Sequence, residues 1–291
     1  MSSYLLLSHI KVHNANALGS ALTVGFPALT ALLGFTHQLE RLAQQSGFGN
    51  RFTRVGICTH DFRMQWHRHK DDEFYSLVGT ANPLNKQGKR PSFIEEPRCD
   101  MDLSLLIESS EAITQEIINW VSRIVKTMKL AAGDVLDVGS VTAYSSTGEE
   151  LNDDDFRLLK KKVMPGYWLL DRSDLVRDGM QKGLDALQAV LEHLKVSCTV
   201  TKQGQDQERH WEKHTPGWLV PISVGFHGLT PCHFATNQRD KTKEHRFAEA
   251  IVTLGEFKMV HRVSSLNDIL WGYTYQSENN LYLCKTNFQP E

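Results

Sequence analysis

An α+β fold is predicted by three features of the sequence. An apolar run over residues 4–12 ends in alternation, two amphipathic stretches carry helical spacing, and strand-like segments separate them. Their order is strand, helix, strand, hairpin, helix. That is the order of a ferredoxin-like unit, the topology that RRM domains also use.

The first strand reads from Ile10 in, Lys11 out and Val12 in. Residues 12–27 then place Asn14, Asn16, Ser20, Thr23 and Gly25 before Phe26 and Pro27. Asparagine offers donors and acceptors, glycine lets another backbone approach, and an aromatic beside a stiff proline is a ready stacking platform. Those parts suit a pocket for single-stranded RNA, although by composition alone a Gly and Asn-rich segment after a strand is more often a plain loop. Leu29, Leu32, Leu33, Leu39 and Leu42 predict a helix ending near Ser46-Gly47, with Pro27 in its first turn.

Residues 55–62 read as a second strand. Residues 74–78 and 101–107 read as the two arms of an extended hairpin, whose connection carries Lys86, Lys89, Arg90, Phe93, Ile94 and Arg98. A basic turn tip is compatible with phosphate binding and with simple solvation. Ile113, Ile117, Val121, Ile124, Val125 and Met128 mark the second helix. Residues 139–155 turn Ser, Thr, Gly and Asp-rich and are the internal boundary candidate.

At its end, Asp153-Asp154-Asp155 reads as a helix start, and beyond it Arg157 with Lys160, Lys161 and Lys162 as a solvated basic cluster or a contact for RNA or a partner. Ser173 is placed as the cap of one helix whose packing stripe is Met180, Leu184, Leu187, Leu191 and Leu194. Residues 198–202 read as a short strand and 203–213 as a polar, mobile segment. Pro216-Gly217-Trp218-Leu219-Val220-Pro221 reads as an edge strand. Phe247, Ile251 and Leu254 suggest a helix closed by Gly255, and Ser265 to Asp268 a capping box opening another. Tyr273, Tyr275, Leu281 and Leu283 flank a final hairpin.

Composition constrains function more than fold. With a formal net charge of −2, the 291-residue chain lacks the global basic field of a free-standing, non-specific nucleic-acid binder. Any RNA contact is therefore expected to be local and completed by neighbouring subunits. Cys58, Cys99, Cys198, Cys232 and Cys284 form no C-x-x-C pair, which suits reduced thiols. Neither a signal-peptide head nor a membrane-length apolar run is present, so a cytoplasmic protein without membrane contact is expected. The pairs His67/His69 and His210/His214 lack a third ligand in register, and no nucleophile elbow or phosphate loop occurs. Neither a metal nor a cofactor is expected.

Asn14-Ala15-Asn16-Ala17, followed by Leu22-Thr23-Val24-Gly25-Phe26-Pro27, resembles the opening of the Csy family of CRISPR proteins, at the second subunit of the type I-F surveillance complex. Val55-Gly56-Ile57-Cys58, Asn82-Pro83-Leu84-Asn85, Glu95-Glu96 before Arg98, the Pro216 to Pro221 segment, and Leu254-Gly255-Glu256 with His261-Arg262-Val263 extend the resemblance in order over nearly the whole chain. It implies a Cas-five-type RAMP protein used in antiviral defence: a ferredoxin-like core with a long β-hairpin thumb and a helical insertion. The implied layout is one elaborated domain, with a core at 1–138 including the thumb at 72–107, an insertion at 139–212, and 213–291 completing the core. The implied function is a non-catalytic subunit of the Cascade-type complex that binds the crRNA 5′ handle, pairs with the large subunit, caps the backbone subunits and meets target DNA only indirectly. Asn14, Asn16, Ser20, Thr23, Gly25, Phe26 and Pro27 would hold bases or phosphates, and Lys86, Lys89, Arg90 and Arg98 the RNA backbone. The alternative is a metal-independent endoribonuclease of the same superfamily, drafting His13 and His37.

Overall fold

β1 (Ser3–Asn16) is the strand on which the rest is laid. Leu5, Leu7, Ile10 and Val12 enter one core and Tyr4 and Leu6 a second, on the opposite face. A strand covered on both faces reads as a continuous apolar run, and this one does. The computed structural model describes residues 3–80, 83–92, 94–146, 151–203, 206–238 and 240–286. Asn82, Phe93, residues 147–150 of the boundary stretch and residues 204–205 lie outside them.

A small hairpin, β2 (Leu18–Ser20) and β3 (Thr23–Val24), leads to α1 (Leu29–Gln45) and then β4 (Phe52–Met64). Short ladders follow: β5 (Trp66–His67) pairs with β6 (Ser76–Leu77), and β7 (Gly79–Thr80) with β8 (Ile94–Glu95). The chain returns through β9 (Arg98–Ser109), α2 (Gln115–Ile124), β10 (Lys129–Leu130) and β11 (Gly133–Ser145). These strands lie in the order β11-β1-β9-β4, all neighbours antiparallel. Leu32, Leu33 and Leu39 of α1 and Ile117 and Val121 of α2 share one core with Leu5, Leu7, Ile10 and Val12 of β1, so both helices cover that face.

The second half continues the sheet. α3 (Asp153–Val163) seals the other face near Tyr4 and Leu6 with Leu159 and Val163. β12 (Tyr167–Asp171) precedes α4 (Ser173–Gln181), α5 (Ala186–Leu194) and the hairpin β13 (Val196–Gln203) and β14 (Asp206–Lys213). β15 (Leu219–Gly228), β16 (Ala248–Met259), β17 (Leu270–Gln276) and β18 (Leu281–Lys285) complete it. β4 shares its free edge between β12, at Cys58 and Thr59, and β17, at Val55 and Gly56. The order β12-β16-β15-β18-β17 thus closes back on β4, whose second edge is shared between the two ends of the circuit. The fold is mixed α/β, with a ten-stranded sheet and five α-helices among the described residues.

Several expectations are corrected. Residues 74–78 do not pair with 101–107. β9 is apolar on both faces and takes the central place between β1 and β4, while Phe74, Tyr75 and Val78 stay exposed. β11 runs through Gly139 to Ser145, so a boundary after residue 138 falls inside a core strand. The helix expected from Ser173 is two, broken at Gly183, whose φ of +94° glycine tolerates, and Ser173 follows the cap residue Arg172. Met180, Leu184, Leu187 and Leu191 are exposed, so of the expected packing stripe Leu194 alone packs, against the cluster of Val176, Ala189 and Val190. Of the segment expected to be mobile, residue 203 ends β13 and residues 206–213 form β14. β16 replaces the helix expected around Ile251, because β12 and β15 flank it on both sides. Ser265 Oγ accepts from Asn267 N–H, but the chain then turns directly into β17. β15 is an edge only over its first half, before β18 joins at Gly225, and there Pro221 removes no ladder bond to β18. Pro27 stands before the α1 cap Ala28, outside the helix.

Candidate functional site

Two β-bulges in β1 set the chemistry of the region. Opposite β9 the register slips between Leu7 and Ile10 and between Val12 and Ala15, and His9 and Asn14 take φ of +51° and +58°. Bulges re-aim side chains, and such conformations in non-glycine residues persist only where the surroundings enforce them. At the second bulge, Asp100 Oδ1 accepts from Asn14 N–H at 3.0 Å and lies 2.7 Å from His13 Nδ1. Burial alone would raise the Asp100 pKa, but these bonds and one from Gln65 hold it below the usual carboxylate value.

At the first bulge, His9 N–H donates to Ser104 Oγ at 3.0 Å, and Ser104 Oγ lies 2.7 Å from His60 Nε2. The Pro165 carbonyl, 2.8 Å from His60 Nδ1, can only accept, so Nδ1 carries the proton and Nε2 accepts from the serine. Burial, partly offset by that carbonyl, pushes the His60 pKa down, which keeps the ring neutral. The His9 ring stacks on it at 4.1 Å and contacts Asp102 at 3.1 Å. His9, His60 and Asp102 place donor atoms within 4.8 Å of one another, the spacing of a metal site. Because both His60 nitrogens are engaged, a cation there would have to displace the serine or the carbonyl. Nothing local in the sequence signalled this network, which joins three strands.

Most hydroxyls and amides expected to face RNA are spent on local folding. Asn16 bonds the Leu18 backbone through both ends of its side chain, and Ser20 Oγ bonds Thr23 Oγ1 at 2.8 Å and Leu22 N–H. They build the β2–β3 hairpin. The Asn14 side chain is exposed. Phe26, 9% exposed, is not a rim platform: it packs edge-on against Phe257 at 5.2 Å and against Phe62 at 5.8 Å.

Phe26 is instead the wall of a cavity of about 450 Å³, within the range of small-molecule sites. Gly25, Phe62, Tyr167, Trp218 and Phe257 line it with Thr59, His60 and Asp61. Trp218 is 51% exposed and packs against Tyr167 at 5.2 Å and Phe257 at 5.4 Å. These aromatics come from segments far apart in sequence, which is why the pattern did not reveal them. His13 and His37 do not line it; His37 lies on α1 beside Glu40 and Tyr273 in another cavity.

Between β4 and β9 the chain makes an excursion that carries the basic residues. Asn85 closes a tight turn by accepting from Gln87 and Lys89 N–H, with Gly88 at φ +71°. Lys86, Lys89 and Arg90 are exposed on this tip, and among the described residues none has a carboxylate within ion-pair distance. Arg98 stands at the base, 3.3 Å from Glu96, so its charge is already partnered. Trp66 and Tyr75 pack at 5.1 Å with Arg68 over the tyrosine ring at 4.9 Å, and Trp66, Phe74 and Tyr75 are exposed. Exposed rings interleaved with cations are what a single strand uses for stacking. Among the described residues, no helix is long and apolar enough to cross a membrane.

A family model described as CRISPR-associated protein (Cas_Csy2) matches residues 5–284. The chain is also similar to the CRISPR-associated protein Csy2 of Pseudomonas aeruginosa (strain UCBPP-PA14), 30% identical over 310 residues that span 97% of this chain and 94% of that protein.

Proposed function

Since the chain belongs to the CRISPR-associated Csy2 family, and so is a subunit of the type I-F Csy complex, we propose that it grips the 5′ handle of the crRNA without cutting it. It pairs with the large subunit, caps the backbone subunits and meets target DNA only through the assembly. Its β11-β1-β9-β4 sheet with α1 and α2 is the ferredoxin-like RAMP core, and the excursion between β4 and β9 is the thumb.

The observation that carries this reading is the thumb tip, where Lys86, Lys89 and Arg90 are exposed and unpaired among the described residues of a chain whose net charge is −2. Cations concentrated at one projection supply phosphate contacts without a global basic field, which suits a subunit whose neighbours complete the electrostatics. Asn14 on the bulge and Phe26 in the cavity wall contribute the base side of the grip. His13, tied to Asp100, holds the β1 bulge, so a positioning role replaces the acid–base role of the endonuclease alternative.

Coexpression with a guide RNA and the large subunit tests the reading. One stoichiometric particle with raised 260 nm absorbance, its RNA intact after incubation with chelator, is expected. Purification of this chain free of RNA, or metal-independent cleavage lost on His13→Ala, would overturn it.

A further inference from the structure

We propose that the aromatic cavity receives one unstacked base of the bound RNA and that Asp61 makes guanine its preferred occupant. The inference rests on the RNA-holding reading and adds the identity of the base.

Aromatic side chains from five separate segments, Phe26, Phe62, Tyr167, Trp218 and Phe257, wall a cavity of about 450 Å³, ample for a purine between ring faces. A purely apolar ligand would leave its polar lining unanswered. Thr59, 7% exposed, lines the cavity, and its hydroxyl is buried with no hydrogen-bond partner among the described residues. A hydroxyl so buried at the cavity's border is satisfied only by a polar group brought against it. His60 has both ring nitrogens engaged, with Ser104 and Pro165, and offers only its ring surface.

Beside the Tyr167 hydroxyl and the Trp218 indole N–H, Asp61 is the carboxylate of the lining. The β4 register slips between Thr59 and Asp61, which lets Thr59, His60, Asp61 and Phe62 all border the cavity. An ionised carboxylate only accepts hydrogen bonds, and its two oxygens match two adjacent donors. Guanine alone among the four bases presents such a pair, N1–H and the 2-amino group. Adenine and cytosine offer one amino group beside a ring acceptor, and uracil one N–H between two carbonyls that would face the carboxylate. Arg63 Nε lies 3.1 Å from Asp61 Oδ2, but both side chains are exposed and water exchanges with such a pair.

The test titrates the full chain with the four nucleoside 5′-monophosphates, following the tryptophan quenching that disappears in Trp218→Phe. GMP is expected to bind at least about tenfold tighter than the others, the size of one bidentate contact. Asp61→Asn should abolish that preference. Thr59→Val, which deletes only the orphan hydroxyl, should weaken GMP while leaving the melting temperature unchanged or raised. Equal binding of all four nucleotides, or a guanine preference that survives Asp61→Asn, would overturn the proposal. So would GMP binding that a guanine-containing single-stranded RNA fails to compete. Filter binding of guide RNA to the coexpressed complex separates the two levels: RNA bound with the same affinity whichever base is placed in its 5′ handle ends the cavity inference alone, and a complex that binds no RNA ends both.

Discussion

Removing the three tip cations together, in Lys86→Ala/Lys89→Ala/Arg90→Ala, has an effect that can be worked out from the geometry. Each cation is exposed and unpaired among the described residues, so each is free to displace counterions from one phosphate. For single strands each such contact contributes roughly 0.7 to the slope of log affinity against log salt, so the triple variant should be shallower by about 2. Over a rise from about 50 to about 200 mM salt, the parent complex should then lose roughly 20-fold more affinity than the variant. Filter binding of guide RNA to the complex across that range measures both slopes. Because the tip turn is held by Asn85 and backbone bonds, the substitutions leave the fold intact. An unchanged slope would refute the reasoning and remove the thumb tip from the RNA path. Arg98→Ala is the internal contrast: its partner Glu96 already neutralises it, so it should alter the slope by less than one tip residue does.

Other predictions concern the framework. Arg54 and Glu108 form a bidentate pair, at 15% and 9% side-chain exposure, with Thr53 also donating to the carboxylate. Burial would raise the Glu108 pKa, but the arginine bonds hold it below its ordinary value, so the pair's contribution is present above that value and lost as pH falls through the folded one. Arg54→Met should cost about 3–5 kcal/mol in urea unfolding at neutral pH and less in acid, where the stranded carboxyl is protonated. An equal cost at both would contradict this. Phe26→Ala should destabilise by roughly 3–5 kcal/mol and Phe26→Leu by about 1.5 or less, with the leucine variant still losing about 1 kcal/mol or more of RNA affinity. Ala131 and Ala132 turn between β10 and β11 at φ +48° and +64°. Ala132→Gly should relieve about 1 kcal/mol and raise the calorimetric midpoint by about 2–4 °C.

The parts of this fold that were legible in the sequence are those whose local pattern and burial agree. β1, α1 and α2 each place apolar residues on faces that are buried, so periodicity suffices. In β16, Ile251 and Leu254 have helical spacing, yet Ile251-Val252-Thr253 is β-branched and the two flanking strands decide the matter. β14 has no apolar stripe to announce it and depends on its ladder to β13. The candidate site was legible only at its edges. Phe26 and the tip cations sit in recognisable local contexts, whereas Thr59, Tyr167, Trp218 and Phe257 meet only because the strand circuit closes on β4. Asn16, Ser20 and Thr23 looked like ligand contacts because turn-forming and ligand-binding chemistry use the same groups.

The most direct measurement is ultraviolet crosslinking of the guide RNA in the assembled complex, with crosslinked peptides identified by mass spectrometry. Crosslinks from the 5′ end of the guide to the peptides bearing Phe26, Trp218 and Lys86 to Arg90 are the expected result. Crosslinks confined to other subunits, with none in this chain, would contradict the account.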